Sequence, residues 1–313
     1  MELKILNKDA KETGKIKLPI QFKENVRSDL VKRAVLVIRA NTRQRYGASP
    51  EAGKRASAYV SKRRRAYKTT YGIGQSRTPR KVISRSGTRF NWVGAFAPQT
   101  VGGRRAHPPK SSKIWTQKIN LSERRKAIRS ALSATMIPEF VKGRGHIIPD
   151  NYPFIISDDF KDIVKTADLR KALETLGLMA DVDRASVKKV RAGKGKARGR
   201  KHRAKKSILF VVDELNDLSR SVANMPGCEV VSVNNLNAAY LAPGAIPGRL
   251  TLFTESAIKK IEGNSMFVKG AVKLSVEKKP AKKPVKTAKK VVKKSTKVKT
   301  AKKPVKKTKT KKE

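Results

Sequence analysis

The chain has 313 residues, with 75 Lys and Arg against 24 Asp and Glu, so its formal net charge is +51. Because this charge repels itself, the chain needs a polyanionic partner, and nucleic acid is the obvious one. The sequence contains no apolar run of transmembrane length, no basic amphipathic helix and no signal peptide, so we expect no membrane partner.

The N-terminal part of the chain predicts a helix that begins near Ser28, whose side chain we expect to cap it. The apolar residues of this helix recur at the spacing of a single face: Leu30, Val31, Ala34, Val35 and Ile38. We assign residues 1–40 to a globular domain that resumes at residue 120.

A long basic loop follows at residues 41–119, with 19 Lys and Arg and a single acid, Glu51. The loop shows no sustained helical or alternating period, so we predict a non-regular extension. Eight aromatic residues are interleaved with its arginines: Tyr46, Tyr59, Tyr67, Tyr71, Phe90, Trp92, Phe96 and Trp115. Arginine binds phosphate in a planar, bidentate manner, and aromatic rings stack on unpaired bases. The pattern favours an extension that enters folded RNA over the alternative, a solvated disordered linker.

The remainder of the globular domain, residues 120–268, predicts alternating helices and strands. We expect helices beginning near Ser122 and Thr166, a helical stretch ending at Asn224, and helices over residues 235–241 and 256–261. We expect strands over residues 153–156, 208–212, 229–233 and 250–253. The continuous apolar run at 208–212 is typical of a strand that is buried on both faces. The fold class is therefore α/β, with a Rossmann-like, mostly parallel sheet flanked by helices.

Two further basic stretches differ in character. Residues 184–206 hold twelve Lys and Arg and no acid, with glycines between the cations, which suits RNA phosphate contacts from a segment within the domain. It is not a phosphate-binding loop of the Walker type, because no Ser or Thr follows its Gly-Lys.

Residues 278–313 hold 18 lysines and one acid, and we predict that the tail at residues 269–313 is disordered.

The sequence offers little for catalysis, and we expect no enzyme activity, no cofactor and no metal. His107 and His202 lie among cations, and neither has a carboxylate nearby in sequence to orient its ring. Asp213 and Glu214 end a strand, where α/β enzymes often place catalytic groups, but capping of the next helix is the stronger interpretation. Cys228 cannot form an internal disulfide, and we interpret it as a small core residue.

Several motifs in a fixed order resemble one family. They are VRSDLVKRAV at residues 26–35, GGRRAHPPK at 102–110, KINLSERRKAIRSALSA at 118–134, RAGKGKARGR at 191–200, and NLN, LAPG and GRLTLFTESA between 235 and 257. Together they resemble the fourth large-subunit ribosomal protein family in its archaeal/eukaryotic form. The resemblance covers the chain to about Val268, and the lysine-rich tail departs from it.

The resemblance implies a structural protein of the large ribosomal subunit, located in the cytoplasm, that binds large-subunit ribosomal RNA and neighbouring ribosomal proteins. It implies an RNA-binding set: Arg43, Arg45, Arg55, Arg63, Arg64, Arg65, Arg104, Arg105, His107, Lys110, Lys194, Lys196, Arg198 and Arg200. In the family, the tip of the loop lines the nascent-peptide exit tunnel. By position, the tip that would face the nascent polypeptide comprises Arg77, Arg80, Lys81, Arg85, Gly87, Arg89 and Trp92.

Two other functions fit part of the sequence. A DNA-compacting protein of the nucleoid or chromatin type would explain the tail but not the arginine–aromatic loop. An RNA-modifying enzyme on a Rossmann-like sheet would explain the fold, but it needs a nucleotide-cofactor site that the sequence does not show.

Overall fold

A computed structural model describes residues 1–268 of the chain, so the predicted disordered tail at 269–313 lies outside the described residues. The strands are β1 (Glu2–Leu6), β2 (Glu12–Lys17), β3 (Arg80–Ser86), β4 (Arg89–Gly94), β5 (Ile155–Ile156), β6 (Lys189–Val190), β7 (His202–Arg203), β8 (Leu209–Val212), β9 (Glu229–Ser232) and β10 (Thr251–Phe253). The α-helices are α1 (Ser28–Asn41), α2 (Leu121–Met136), α3 (Pro138–Gly143), α4 (Thr166–Thr175), α5 (Met179–Ser186), α6 (Leu218–Ala223), α7 (Ala238–Leu241) and α8 (Glu255–Gly263). The chain is thus a mixed α/β protein, as the sequence predicted.

Two three-stranded sheets form the centre of the domain. The first has the order β2-β1-β5, with β1 antiparallel to β2 and parallel to β5. The second has the order β10-β8-β9, and both of its pairings are parallel. A parallel bridge between Ile156 and Thr254 joins β5 to the residue that follows β10. The two sheets therefore meet edge to edge.

The domain has two hydrophobic cores, and strand β8 contributes to both. Leu209 and Val211 belong to one core, and Phe210 and Val212 belong to the other. This alternation follows from the period of a strand, in which successive side chains point to opposite faces. Each fully buried apolar side chain of this size contributes about 1.5–3 kcal/mol. Helices α1, α2, α7 and α8 supply the first core, and α3, α4, α5 and α6 supply the second.

The expected helix starts were right in position, but the predicted side-chain cap at Ser28 was wrong. Helix α1 begins at Ser28 and α2 at Leu121, yet neither has a side-chain capping hydrogen bond. Side chains do cap two other helices: Asn237 accepts from the N–H groups of Ala239 and Tyr240 at the start of α7, and Thr254 accepts from the N–H of Ala257 at the start of α8. Asp213 was expected to cap the helix after β8. This was wrong, because α6 begins only at Leu218 and Asp213 pairs with Lys161 at 2.9 Å instead.

The loop between α1 and α2 is more regular than predicted. Strands β3 and β4 form an antiparallel hairpin in its middle, which corrects the expectation of a non-regular extension there. A register shift between Val82 and Ser84 interrupts the pairing. Such a bulge breaks the two-residue alternation of side chains, so the sequence pattern of β3 did not indicate a strand. No helix within residues 1–268 is long and apolar enough to cross a membrane.

Candidate nucleic-acid interface

Positive charge in the described part of the chain is concentrated in two segments. The loop at residues 41–119 carries a net charge of +18, and residues 184–206 carry +12. The remainder of residues 1–268 has 24 Lys and Arg and 21 Asp and Glu, so it is nearly neutral. The domain thus carries its excess charge on two segments, where a polyanion would be attracted.

The base of the loop is closed by direct contacts between its outgoing and returning arms. The side-chain oxygen of Asn41 accepts a hydrogen bond from the N–H of Gln117 at 2.9 Å. Further out, the N–H of Ala48 donates to the carbonyl of Pro109 at 2.9 Å. A Cβ at Gly47 would lie 2.1 Å from the backbone nitrogen of Ser111, so only glycine permits this approach.

A second close approach occurs farther along the arms. A Cβ at Gly53 would lie 2.6 Å from the Cα of Arg104, and Gly53 also has a φ of 71°. On the returning arm, a Cβ at Gly103 would lie 1.9 Å from the carbonyl oxygen of Ala97. The loop is therefore a narrow, two-armed extension whose arms are held together by backbone contact.

Cations of the loop lie over its own aromatic rings. Near the base, the guanidinium of Arg43 lies 3.7 Å from the ring centre of Trp115 and 5.8 Å from that of Tyr46. The ammonium of Lys113 lies 4.3 Å from the same Trp115 ring. Contacts of this kind are worth about 0.5–1 kcal/mol at exposed sites. They favour these directions of the cations before any partner binds, by an amount close to thermal energy.

A second aromatic cluster lies on the hairpin. Phe90 and Trp92 stack with ring centres 5.0 Å apart, and Tyr67 meets Phe90 edge-on at 5.3 Å. Arg80 lies over Trp92 at 5.5 Å, and Arg85 lies over Phe90 at 5.6 Å. The sequence predicted that such rings stack on bases. In this cluster the rings pack largely on one another and on arginines of the same loop, as a partly exposed patch on the hairpin.

The predicted RNA-binding residues of the loop are, with one exception, exposed. The exposed set is Arg43, Arg45, Arg55, Arg63, Arg64, Arg65, Arg105, His107 and Lys110. Arg104 is partly buried, with its guanidinium 6.0 Å from the ring centre of Phe96. These residues follow both arms of the loop, so they form a strip of cations rather than one compact site.

The predicted tip residues coincide with the hairpin and the turn before it. Arg77, Lys81, Arg85, Gly87 and Arg89 are exposed, whereas Arg80 and Trp92 are partly buried.

Hydrogen bonds fix several of these side chains. The indole N–H of Trp92 donates to Gln75 at 2.9 Å, and Arg80 donates to the carbonyl of Ser76 at 2.6 Å. Gly87 forms the turn with a φ of 55°, and Arg85 donates to its carbonyl at 2.8 Å.

The second basic segment forms a small hairpin with a cationic end. Strands β6 and β7 pair, and the N–H of Arg191 donates to the carbonyl of Lys201 at 2.8 Å. The predicted residues Lys194, Lys196, Arg198 and Arg200 lie between these strands, and all four are exposed. Their charges are therefore available to a partner.

A buried carboxylate holds both ends of this segment. Asp181 is fully buried and accepts hydrogen bonds from Nε of Arg184 at 2.8 Å and from Oγ of Ser207 at 2.6 Å. It also accepts from the N–H of Ile147 at 3.0 Å, and it lies 3.1 Å from Nδ1 of the buried His146. Sequence reasoning missed this group because His146 and Ser207 are 35 and 26 residues from Asp181.

The titration of the buried pair follows from its surroundings. Burial alone would raise the pKa of Asp181, but hydrogen bonds from His146, Arg184 and Ser207 outweigh it and hold this pKa well below its usual value. Burial lowers the pKa of His146, although its hydrogen bond to Asp181 opposes the shift. A neutral imidazole beside an ionised carboxylate satisfies both directions, and Nδ1 of His146 also lies 3.1 Å from the guanidinium of Arg184.

The fully buried side chain of Arg249 contacts Ser207, at the end of the basic segment 184–206. Arg249 donates to the carbonyl of Ser207 at 2.9 Å, to Glu229 at 2.6 Å and to the carbonyl of Tyr240 at 3.0 Å. Burial would raise the pKa of Glu229, but Lys206 and Arg249 outweigh this effect and lower it. Ser207 is thus fixed by its backbone and by its side chain, next to the end of the basic segment.

Neither a metal site nor a reactive thiol is found among residues 1–268. Within residues 1–268 no group of His, Cys, Asp and Glu side chains is arranged to hold a metal ion. Cys228 is buried, and burial raises its pKa to about 11, which keeps the thiol protonated and unreactive.

Comparison with known proteins gives a consistent result. The family model described as the ribosomal protein L4/L1 family matches residues 16–264. The large ribosomal subunit protein uL4 of Nanoarchaeum equitans is 46% identical over 268 residues, which is 85% of this chain and 100% of that protein. The proteins of the same name from Methanopyrus kandleri and Archaeoglobus fulgidus are 43% and 39% identical, over 84% and 83% of this chain and 98% and 97% of theirs.

Proposed function

Because the chain belongs to the ribosomal protein L4/L1 family, we propose that its basic loop and its segment 184–206 bind the RNA of the large ribosomal subunit. The chain is a structural protein of that subunit in the cytoplasm, and it is not an enzyme. Its partners are large-subunit ribosomal RNA and neighbouring ribosomal proteins.

One observation carries the assignment of the binding residues. The excess charge of the described domain lies on two segments, and nearly all of the predicted RNA-binding side chains on them are exposed. Phosphate contacts fix the position of a protein on RNA without reading its sequence. A narrow loop with cations along both arms suits a channel between RNA helices, where phosphates approach from several sides. The residues that we propose to contact RNA are the predicted RNA-binding residues of the loop, between Arg43 and Lys110, together with Lys194, Lys196, Arg198 and Arg200.

We propose that the loop already has part of its structure before it binds RNA. Its arms are joined at Gly47 and Gly53, and its cations lie over aromatic rings. Each neutralised phosphate releases counterions, so the affinity for RNA should fall steeply as salt increases. We assign residues 1–40 and 120–268 to the domain that holds the loop, and residues 41–119 to the loop itself.

Contact of the hairpin with the nascent polypeptide is a further part of the proposal. The hairpin lies near the middle of the loop sequence, and it exposes Lys81, Arg85 and Arg89. Those charges would line a wall of the exit tunnel if the loop extends inward from the domain.

The two three-stranded sheets of the domain lie next to each other at one edge. The bridge between Ile156 and Thr254 aligns the two sheets, and helices cover two separate cores. We assign the sheets to one Rossmann-like, mostly parallel sheet with β2 as an antiparallel edge.

Nothing in the comparisons favours the DNA-compacting alternative, since the relatives described above are large-subunit proteins. The test is sedimentation of the tagged chain from cell lysate through sucrose gradients at low and high salt. We expect co-migration with the large subunit that survives high salt, because a loop enclosed between folded RNA helices would dissociate slowly even though salt weakens each of its phosphate contacts. Recovery only in light fractions, or together with DNA, would overturn the proposal.

A further inference from the structure

A cleft with a volume of about 570 Å³ lies between the two arms of the loop. Tyr46 lines it from the outgoing arm, and Arg105, His107, Pro109, Lys110 and Lys113 line it from the returning arm. The size falls within the range of about 300–1,000 Å³ that is typical of small-molecule sites. It is large enough for a nucleotide.

The walls of the cleft are fixed by the contacts that join the arms. The N–H of Ala48 donates to the carbonyl of Pro109, and Gly47 packs against the backbone of Ser111. Because these contacts flank the lining residues in sequence, Tyr46 and the Pro109 segment keep a constant separation. The cleft is therefore present before a ligand enters.

The Tyr46 ring is positioned and still accessible. Arg43 lies 5.8 Å from its centre and is itself held 3.7 Å over Trp115. The side chain of Tyr46 nevertheless remains 58% exposed, in contrast to the partly buried rings of Phe90 and Trp92 on the hairpin. An exposed aromatic face at a cleft is a stacking platform for a base.

The remaining lining residues suit a phosphate and a base edge. Arg105, Lys110 and Lys113 are cationic, and the only carboxylate of the loop, Glu51, does not line the cleft. The ring nitrogens of His107 can donate to or accept from the edge of a base. A single unpaired nucleotide presents these complementary groups together.

We propose that this cleft binds one unpaired nucleotide of RNA, with its base stacked on Tyr46 and its phosphate among Arg105, Lys110 and Lys113. The inference rests on the proposed RNA-binding function and adds a site that recognises a splayed-out base. A duplex offers no such base, so the cleft would select bulges or single-stranded junctions over continuous helices.

The test uses the full chain and two RNA hairpins that differ by one bulged nucleotide, prepared with each of the four bases. Affinity is measured by fluorescence anisotropy at fixed salt. We expect the wild-type chain to prefer at least one bulged hairpin over the paired one. Tyr46→Ala should weaken binding of that hairpin about 5- to 100-fold, as stacking energies predict, and leave the paired hairpin nearly unchanged. Tyr46→Phe should retain the preference, because its ring still stacks.

A spectroscopic readout is independent of affinity. With 2-aminopurine as the bulged base, stacking should quench its fluorescence on binding to the wild-type chain and to Tyr46→Phe but not to Tyr46→Ala. The matched control is Tyr240→Ala, which removes a partly exposed tyrosine from α7 in the domain and should preserve the quenching.

The outcomes separate this inference from the function on which it rests. If the wild-type chain binds both hairpins equally, or if Tyr46→Ala weakens both equally, the nucleotide site is wrong while RNA binding stands. If the chain also fails to co-migrate with the large subunit, the proposed function itself is wrong.

Discussion

Asp181 accepts a hydrogen bond of 2.6 Å from the hydroxyl of Ser207, which directly follows the basic segment 184–206. The same carboxylate accepts from Arg184, which begins that segment. A fully buried negative charge thus holds both ends of an exposed, strongly cationic hairpin. Burial of a charge is costly unless it is paired and hydrogen-bonded, and Asp181 has donors on several sides.

Replacement of Asp181 by Asn should destabilise the domain by about 3 kcal/mol, because it leaves the mostly buried Arg184 without its counter-charge. Urea unfolding of the full chain measures the free energy of unfolding. The control is Asp183→Asn, which removes an exposed carboxylate from the same helix and should cost less than about 0.5 kcal/mol. Equal losses in the two variants would contradict a structural role for the buried carboxylate.

The buried histidine should make stability depend on pH. The folded pKa of His146 is lowered, so the unfolded chain binds its proton more readily. The free energy of unfolding should therefore decline as pH falls below about 6.5, the ordinary histidine value, until the folded pKa is reached. Asp181 has a lowered folded pKa as well, so its own stabilisation should be lost only below about pH 4.

Urea unfolding between pH 8 and pH 5 tests the histidine contribution. The decline should be smaller in His146→Gln than in the wild-type chain. His107→Gln is the control, because His107 is exposed in the loop. If the free energy of unfolding declined equally in the wild type and in His146→Gln, the pH dependence would come from titratable groups other than His146.

Arg249 should be intolerant of substitution although it contacts no proposed ligand. Arg249→Met leaves the carbonyls of Ser207 and Tyr240 and the carboxylate of Glu229 without this donor. We expect a loss of about 3–5 kcal/mol in the free energy of unfolding. Arg249→Lys should recover only part of it, since an ammonium cannot reproduce the planar, forked geometry. Arg220→Met removes an exposed arginine and should change stability by less than about 0.5 kcal/mol.

The parts of the fold that were predictable are those specified by local patterns. The apolar spacing of α1 and the continuous apolar run of β8 located these elements within one or two residues. Strand β2 was missed because it is largely exposed and has no apolar alternation along its whole length. Strand β1 was missed as well, although its buried Leu3 and Ile5 alternate with exposed residues. In the loop hairpin, a bulge interrupts the period of β3, whereas β4 keeps its alternation, with Phe90 and Trp92 on one face, and was missed nonetheless.

The charge of the candidate interface could be predicted from the sequence, but the tertiary contacts that hold its segments in place could not. Clustering of cations is visible in the sequence, whereas the Asp181 network joins residues from three distant parts of the chain. The cleft at Tyr46 depends in the same way on two arms that meet about 60 residues apart in sequence. Such contacts are created by the tertiary fold, and no local period encodes them.

The exposed end of segment 184–206 offers a direct test of its proposed RNA contacts. Replacing Lys194, Lys196, Arg198 and Arg200 together by Ala should leave the free energy of unfolding nearly unchanged, because all four side chains are exposed. Affinity for large-subunit RNA should fall. The slope of log affinity against log salt should become shallower by about 0.7–0.9 for each phosphate contact that is lost.

The charge-matched control replaces Lys4, Lys11, Lys15 and Lys17, which are exposed on and between β1 and β2, by Ala. If attraction to RNA depended only on net charge, both quadruple variants would change the slope equally. Because counterions are released only where a cation meets a phosphate, we expect the segment variant to show the larger change. Equal slopes in the two variants would mean that the segment acts through general attraction and makes no defined phosphate contacts.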